Sequence, residues 1–383
     1  MASVIFQSPW MSDDLRMFRK TVRQFIQQEF VPHQSCWREQ HRPDAEAWTA
    51  AGGYGILLPD VPDEYGGGGG TFAHQAVVVE ELARAGVQFG FTIHNVVAHN
   101  ILGYGNDAQK RTWLPRMARG ELVGAIAMSE PAAGSDLQSI KTTARRDGDH
   151  YVINGAKTFI TNGWHAGVIC LAVKTDASAT GPRGISLIIV ETKDLPGYRV
   201  GRSLDKVGMH GLDTCELFFD EVRVPASNLL GPAEGRGFTQ LMEIMSYERL
   251  AIAVAAVATS EEAVAITTKY VQERIAFGKP LTALQNTRFK LAECKTEAHI
   301  GRVFLDDCIE RFIAGRLDDT TVSMAKYWLT DCECRIVDEC VQLHGGYGYL
   351  AEYPIARMWT DSRVHRIWAG TNEVLKELIA SAL

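Results

Sequence analysis

Long apolar runs are missing from this sequence. No uninterrupted apolar stretch approaches the roughly 20 residues that a helix needs to cross a bilayer. We also expect no cationic leader, since the N-terminal region carries the acidic pair Asp13 and Asp14 and does not resemble a cleaved signal or transit peptide. Hydrophobic residues make up 46% of the chain and charged residues 22%, as in ordinary globular proteins. We therefore expect no membrane span and a cytoplasmic location.

Clustered positive charge is also missing. The formal net charge is -7, and the lysines and arginines are scattered along the chain. Because binding to nucleic-acid phosphates requires clustered cations, we expect no nucleic-acid partner. A few local arginines could still bind a small anionic ligand.

The eight cysteines form no recognisable framework. Cys332 and Cys334 are the only close pair, and their C-x-C spacing fits no common zinc or redox motif. Most of the other cysteines fall within apolar helical patterns. We expect buried free thiols, no disulfide framework and no metal site.

A run of five glycines in residues 65–70 (YGGGGG) lacks the features of a phosphate-binding loop. No Gly-Lys-Ser/Thr sequence follows it, and no clear strand precedes it. We interpret it as a flexible loop between helices.

The 383 residues fall into three stretches that predict an α+β multidomain fold. Residues 1–123 have mostly helical periodicity. One face of the first helix carries Leu15, Phe18, Val22, Phe25 and Ile26. Residues 124–236 contain short β-branched and aromatic runs separated by turns such as NG and GPRG. This pattern of short runs and turns predicts a middle antiparallel β domain, either a compact sheet or a barrel.

Residues 237–383 predict a C-terminal four-helix bundle. Apolar residues recur at steps of three and four from Leu291 to Phe312 and again from Val322 to Ile336. The apolar stretch 238–271 and a helix after Thr371 complete the four. Because strands and helices do not alternate, a Rossmann fold is not expected.

Two loop segments of the β domain combine small residues with hydroxyl groups. In residues 125–142 (AIAMSEPAAGSDLQSIKT), backbone N–H groups and the hydroxyls of Ser129 and Ser135 could face a ligand. In residues 157–163 (KTFITNG), Phe159 and Thr161 could meet a flat heterocycle at a strand end. An ordinary connecting loop and a buried core aromatic are the alternatives that these residues leave open.

Five motifs follow one another across nearly the whole chain: SEPAAGSD, INGAKTFITNG, ERIAFGKPL with a following LQ, QLHGGYGYLAEYPIARMWTDSR, and AGTNE. Through this series the sequence resembles the acyl-CoA dehydrogenase family. It is most similar to the long-chain members, through GAIAMSEPAAGSDLQSIKT, SMAKYW and CVQLHGGYGY.

The resemblance implies helical, β and helical domains, one noncovalent FAD per subunit and a homotetramer built as a dimer of dimers. It implies α,β-dehydrogenation of an acyl-CoA thioester to the trans-2-enoyl product in fatty-acid or branched-acyl catabolism. Electron-transfer flavoprotein is the implied acceptor. Long-chain and branched-chain substrates both remain open.

The matching motifs also imply the binding residues. The flavin ring is expected to contact Met128, Ser129, Phe159 and Thr161, and Ser135 is expected to contact the pantetheine part of the substrate. Thr371 and Asn372 are expected to contact the cofactor as well.

A neighbouring subunit is expected to complete the cofactor site. The implied contacts to pyrophosphate and adenosine come from Arg274, Phe277 and Gln285 of that subunit, together with Gln342, Leu343, Gly345 and Gly346. A solvated helix charge is the alternative for Arg274, and a helix C-cap is the alternative for the glycines.

Residue 369 departs from part of the family. Short-chain and medium-chain members carry there the glutamate that removes the α-proton, whereas this chain has Ala369. Long-chain and isovaleryl members have the base on the first C-terminal helix, and MSYERLAIA matches that motif at Glu248 and Arg249. An unpaired carboxylate in this apolar helix would have a raised pKa, as suits a base that accepts a proton from carbon. A salt bridge is the alternative.

The alanine need not abolish activity. In the family the backbone N–H at this position binds the thioester carbonyl, and a backbone group survives the replacement. We therefore expect Ala369 and Gly370 to contact the substrate and Arg249 to order the site. The alternatives are a dehydrogenase of carrier-protein-bound acyl groups, a flavin oxidase of the same superfamily and a non-catalytic binding or assembly protein.

Overall fold

The computed structural model describes residues 7–179 and 181–383. The N-terminal part is helical, as expected. Its helices are α1 Asp13–Phe25, α2 Gln34–Gln40, α3 Ala45–Gly53, α4 Phe72–Arg84, α5 Phe91–Tyr104 and α6 Asp107–Ala118. Helix α1 begins where the hydroxyl of Ser12 accepts a hydrogen bond from the backbone N–H of Leu15.

The glycine run is a loop, as predicted, and its backbone is hydrogen-bonded. Each backbone N–H from Gly66 to Gly70 donates to a carbonyl oxygen within residues 58–63, over 2.8–3.2 Å. The loop packs so closely that a Cβ atom on Gly67 would lie 2.2 Å from the carbonyl oxygen of Val61. Glycine is required there because no side chain fits.

A seven-stranded sheet forms the middle of the chain. Its strands are β1 Val123–Ala127, β2 Thr143–Asp147, β3 His150–Thr161, β4 Ala166–Lys174, β5 Ile185–Glu191, β6 Tyr198–Ser203 and β7 Thr214–Pro225. Strand β7 lies between β3 and β6, and β4 lies between β1 and β5.

The middle β domain is confirmed, but the sheet is not wholly antiparallel. Strand β1 pairs with β4 in parallel over five positions, and a single parallel pairing joins Thr143 of β2 to Lys174 of β4. The β2–β3 hairpin lies between β1 and β4 in the chain, so β4 returns beside β1 in the same direction.

The NG sequence at Asn154 and Gly155 does not form the predicted turn. Both residues lie inside β3, where the register with β7 shifts between Ile153 and Gly155. Gly155 has a φ of 153°, which favours glycine at this irregularity.

The C-terminal part is helical, with three long helices and two short ones in the described range. They are α7 Gly237–Glu273, α8 Gln285–Ile313, α9 Asp319–His344, α10 Pro354–Ser362 and α11 Asn372–Ala380. A two-stranded hairpin, β8 Ile275–Ala276 and β9 Lys279–Pro280, joins α7 to α8. The prediction of four helices missed α10, which packs against α7 and α9.

Helix α7 is long and apolar enough, by length and composition alone, to cross a membrane. However, 72% of its most apolar 18-residue window is buried inside the protein, which is the environment of a core helix. One such helix is weak support for a span. The prediction of free thiols is confirmed, since all eight cysteines are unpaired and six of them are buried.

Candidate active site

The Ala369–Gly370 turn has an unusual backbone conformation. Ala369 has a φ of 51° and Gly370 a φ of 88°, so two successive residues lie in the left-handed region. This conformation is ordinary for glycine but costs an alanine roughly 1 kcal/mol. The turn therefore requires support from its surroundings.

Cations on two different helices provide that support. The Nε of Arg249 on α7 donates to the carbonyl oxygen of Ala369 over 3.2 Å. The Nζ of Lys326 on α9 donates to the carbonyl oxygen of Gly370 over 2.9 Å. Two consecutive carbonyl groups are thus held, and their peptide planes are oriented.

Glu248 is the buried acid of this region. Its side chain belongs to α7 and is only 6% exposed. Burial raises the pKa of Glu248 to about 7, although the charges of Arg249 and Lys326 oppose the rise. In the described part of the chain its carboxylate forms no ion pair within 4.0 Å and no hydrogen bond. The salt-bridge alternative is therefore not what the structure shows.

Asn372 lies beneath the turn as the first residue of α11. Its Oδ1 accepts from Lys326 over 3.0 Å, and its Nδ2 donates to Thr330 and Asp331 over 3.0 and 2.9 Å. The whole residue is buried within this chain, so neither its side chain nor its backbone is exposed for the predicted cofactor contact. Thr371 caps α11, because its hydroxyl accepts from Val374.

A second group of predicted residues meets where β1 and β3 end. The backbone N–H of Thr158 donates to the carbonyl oxygen of Ser129 over 3.0 Å, which brings Met128 and Ser129 beside Phe159. Phe159 has a φ of 61°, and the residue is 68% exposed. Thr161 is the last residue of β3. An exposed ring beside two polar strand ends fits a flat heterocycle.

An ion pair that sequence reasoning missed holds this junction together. Lys157 Nζ donates to the carbonyl oxygen of Met128 over 2.9 Å and to Glu130 over 2.8 Å. Burial lowers the pKa of Lys157 to about 8, while Glu130 opposes the fall. Ser135 is exposed on the loop after Glu130.

A third group lines a cavity of about 480 Å³ at the end of α9. The lining includes the predicted residues Arg274, Gln342, Leu343, Gly345 and Gly346. The two glycines border open space, since a Cβ on either would meet nothing within 4 Å.

The chemistry of this cavity suits an anionic aromatic ligand. The Arg274 guanidinium lies 5.2 Å from the ring of Tyr347 and forms no ion pair among the described residues. Phe277 and Gln285 are near in sequence but do not line the cavity. Phe277 lies at the tip of the β8–β9 hairpin and is 92% exposed, and Gln285 is exposed at the start of α8.

The cavity and the Glu248 region lie far apart along α7, since Arg274 follows its last residue and Glu248 lies in its first third. Arg274 follows Glu248 by 26 positions. At about 1.5 Å of rise per residue, they are roughly 39 Å apart along the helix axis. Within one chain, these two groups cannot border the same dinucleotide.

Sequence reasoning also missed Lys326, although a signal was present. Lys326 follows Ala325 on the apolar stripe that begins at Val322, and it is completely buried. A charged residue on a buried stripe requires partners. His94 and His99 both have hydrogen-bond partners within the protein.

Comparison with known proteins agrees with this arrangement. Three family profiles match: acyl-CoA dehydrogenase N-terminal domain over residues 12–121, middle domain over 125–222 and C-terminal domain over 235–383. The chain belongs to the acyl-CoA dehydrogenase family. The resemblance seen in the sequence, the fold class and the expectation of an enzyme are thereby confirmed.

Individual acyl-CoA dehydrogenases are similar over nearly the whole chain. The long-chain specific mitochondrial enzyme of Sus scrofa is 44% identical over 96% of this chain and 86% of its own length. The crystal structure of an acyl-CoA dehydrogenase from Geobacillus kaustophilus is 46% identical, covers 98% of this chain and 99% of its own, and has a TM-score of 0.96.

A third relative has a cofactor in its structure. The acyl-CoA dehydrogenase of Bacillus anthracis, complexed with FAD, is 32% identical with a TM-score of 0.93. It covers 98% of this chain, which spans 68% of that longer protein.

Proposed function

We propose that this chain binds FAD and catalyses the α,β-dehydrogenation of an acyl-CoA thioester, with Glu248 as the base. The observation that carries the proposal is the buried, unpaired carboxylate of Glu248, next in sequence to the arginine that holds the Ala369 turn. Burial raises the pKa of Glu248 to about 7, so the group can accept a proton near neutral pH.

The residues of this chain would have separate roles in the reaction. Glu248 takes the proton from the α-carbon. The backbone N–H of Ala369 donates to the thioester carbonyl, where negative charge develops. Arg249 and Lys326 hold the turn that presents this donor. Bound FAD supplies the two-electron acceptor for the hydride that leaves the β-carbon, which completes the Cα=Cβ double bond.

The cofactor site would be shared between subunits. Met128, Ser129, Phe159 and Thr161 offer an exposed ring and polar strand ends to the flavin. The cavity at Arg274 offers its cation and open glycines to the pyrophosphate and adenosine of a neighbouring subunit. The roughly 39 Å along α7 supports this division.

We infer a homotetramer built as a dimer of dimers. Large apolar side chains are exposed on the β8–β9 hairpin and at the start of α8. They are Ile275 at 56%, Phe277 at 92% and Phe289 at 56% exposure. Exposed large apolar side chains on these adjoining elements support a subunit contact there. Electron-transfer flavoprotein as the acceptor and a cytoplasmic location are further proposals, which rest on the sequence.

An anaerobic titration tests the function. Purified, FAD-replete protein is mixed with straight and branched acyl-CoA thioesters of increasing length while flavin absorbance is followed. We expect bleaching with long-chain or branched thioesters, because the chain resembles enzymes of those classes. Unchanged absorbance with every thioester would overturn the proposal and favour a carrier-protein substrate or a non-catalytic role.

A further inference from the structure

Lys326 is an ammonium group in the interior of the protein. It lies about two turns from the start of α9 and is 0% exposed. Its Nζ donates to the carbonyl oxygen of Gly370 over 2.9 Å and to Oδ1 of Asn372 over 3.0 Å. Burying a lysine is costly unless its charge is compensated, so its position requires an explanation.

The hydrogen bonds of Lys326 join the Ala369–Gly370 turn to α9. Asn372, which accepts one of them, donates in turn to the backbone of Tyr327 and the side chains of Thr330 and Asp331. The start of α11 is therefore attached to α9 at several points. The Ala369–Gly370 turn is therefore held on one side by Arg249, which bonds to Ala369, and on the other by Asn372, which is attached to α9.

The charge of Lys326 acts on Glu248. Burial and the charge of Arg249 together lower the pKa of Lys326 to about 7, although the charges of Glu248, Asp331 and Glu373 oppose the fall. Burial raises the pKa of Glu248, and the charges of Arg249 and Lys326 oppose that rise. Each member of the Glu248 and Lys326 pair thus favours the charged form of the other.

Two further titratable groups lie near these charges: Asp319 acts on Arg249, and the buried His365, paired with Glu333, is affected by the charge of Lys326. Asp319 is itself hydrogen-bonded to Ser246 over 2.6 Å. Arg249 and Lys326 are consequently the two cations that favour ionisation of Glu248, and they reach it from α7 and α9.

We propose that Lys326 is a positioning residue of the dehydrogenation. It fixes the Ala369–Gly370 turn against α9 and, in its protonated form, favours the ionised form of Glu248. This inference rests on the function proposed above. It assigns two separable effects to one side chain: the geometry of the oxyanion donor and the charge of the base.

Hydrogen exchange at the α-carbon separates these effects without flavin reduction. The probe is a 3-thia-acyl-CoA of the chain length that bleaches the wild type best. Sulfur replaces its β-carbon, so it can lose an α-proton but cannot be dehydrogenated. Deuterium uptake at the α-carbon in D2O is measured by mass spectrometry between pH 5.5 and 9, together with FAD content and melting temperature.

Three variants distinguish the effect on the geometry of the turn from the effect on the charge of Glu248. Lys326→Met removes both the charge and the donor, and we expect exchange at pH 7 to fall about 100-fold. The midpoint of the pH profile should rise by about one unit, because one cation near Glu248 is lost. Lys326→Arg keeps the charge and should keep the midpoint. Asn372→Ala removes a neutral attachment and should lower the rate without moving the midpoint.

Lys20→Met is the matched control, since Lys20 is exposed on α1 and its loss removes one charge far from the turn. It should behave as the wild type. If Lys326→Met does not fold, Lys326→Gln replaces it with the same expected midpoint shift.

Two results would overturn the inference. A folded, FAD-replete Lys326→Met or Lys326→Gln variant with the wild-type rate and midpoint would show that the lysine is only structural. A wild type that neither exchanges the probe nor bleaches would overturn the proposed function and this inference together. In the first case, bleaching of the wild type would show that the proposed function stands and that only this inference fails.

Discussion

The Nε of Arg249 donates to the carbonyl oxygen of Ala369 over 3.2 Å, across 120 positions of sequence. The same turn of α7 therefore carries the candidate base, Glu248, and a support of the alanine turn. This connection explains how a family turn can persist without its glutamate. The turn keeps its backbone orientation, and the carboxylate comes from the helix that holds it.

Glu248→Gln should reduce dehydrogenation by about two to four orders of magnitude, the usual contribution of a general base. The substitution preserves shape and breaks no ion pair, so FAD content and folding should be retained. Stopped-flow flavin reduction measures the effect. Glu243→Gln, an exposed position on the same helix, is the control. Near-normal reduction in a folded Glu248→Gln variant would remove Glu248 as the base.

Ala369→Glu should restore part of the activity of Glu248→Gln. An unbranched side chain can adopt the φ of 51° that Ala369 already has, so the turn should accept the carboxylate. The new acid occupies the position used by short-chain and medium-chain relatives, and rescue should therefore be greatest with shorter acyl chains. Rates of the double variant across a chain-length series provide the check. Absence of rescue at every length would mean that residue 369 faces away from the α-carbon.

The rate of flavin reduction should increase with pH through about 7. Glu248 must be ionised to accept a proton, and burial raises its pKa to about 7. Below that pH the rate should fall about tenfold per pH unit, because one proton blocks the base. A pH series of the reductive half-reaction from 5.5 to 8.5 tests this. A flat profile in this range would contradict it.

His94 should make the folded protein sensitive to acid. Burial lowers the pKa of His94 to about 4, and the ring joins α5 to the start of β1 by accepting from the backbone N–H of Gly124 over 3.0 Å. Between pH 4 and 6.5 the unfolded chain binds the extra proton. The contribution of His94 is therefore complete above pH 6.5 and is lost as pH falls, by about 2 kcal/mol at pH 5.

Melting temperatures at pH 7.5 and 5 check the role of His94. His94→Gln removes the titrating group and should show a smaller difference between the two pH values than the wild type. His150, which is partly exposed on β3, provides the control through His150→Gln. An equal pH difference in wild type and His94→Gln would contradict the expectation.

The local pattern of apolar residues was sufficient to predict most of the helices and strands. Residues 124–236 were predicted to contain strands, and β2 to β7 lie there, because their β-branched and aromatic residues match half-buried strands. The stripe from Val322 to Ile336 was predicted as helical and belongs to α9. Both depend on residues a few positions apart, whose spacing is visible in the sequence.

The pairing of the strands and the irregularities within them were harder to predict from the sequence. Asn154 and Gly155 have the composition of a turn, but pairing with β7 keeps them inside β3. The parallel pairing of β1 with β4 joins residues more than 40 positions apart. Such a pairing depends on the path of the chain between the strands, which local periodicity does not describe.

The sequence by itself determined the family, the order of helical and β regions and the choice of Glu248 as the candidate base. Motif order and the alanine at position 369 carried those conclusions. Only the tertiary structure decided that Glu248 is buried without an ion pair and that Lys326 and Arg249 hold consecutive carbonyls of one turn. Helical periodicity shows which face is buried. The residues that meet there come from distant parts of the chain, and their contacts set the charge and geometry of the site.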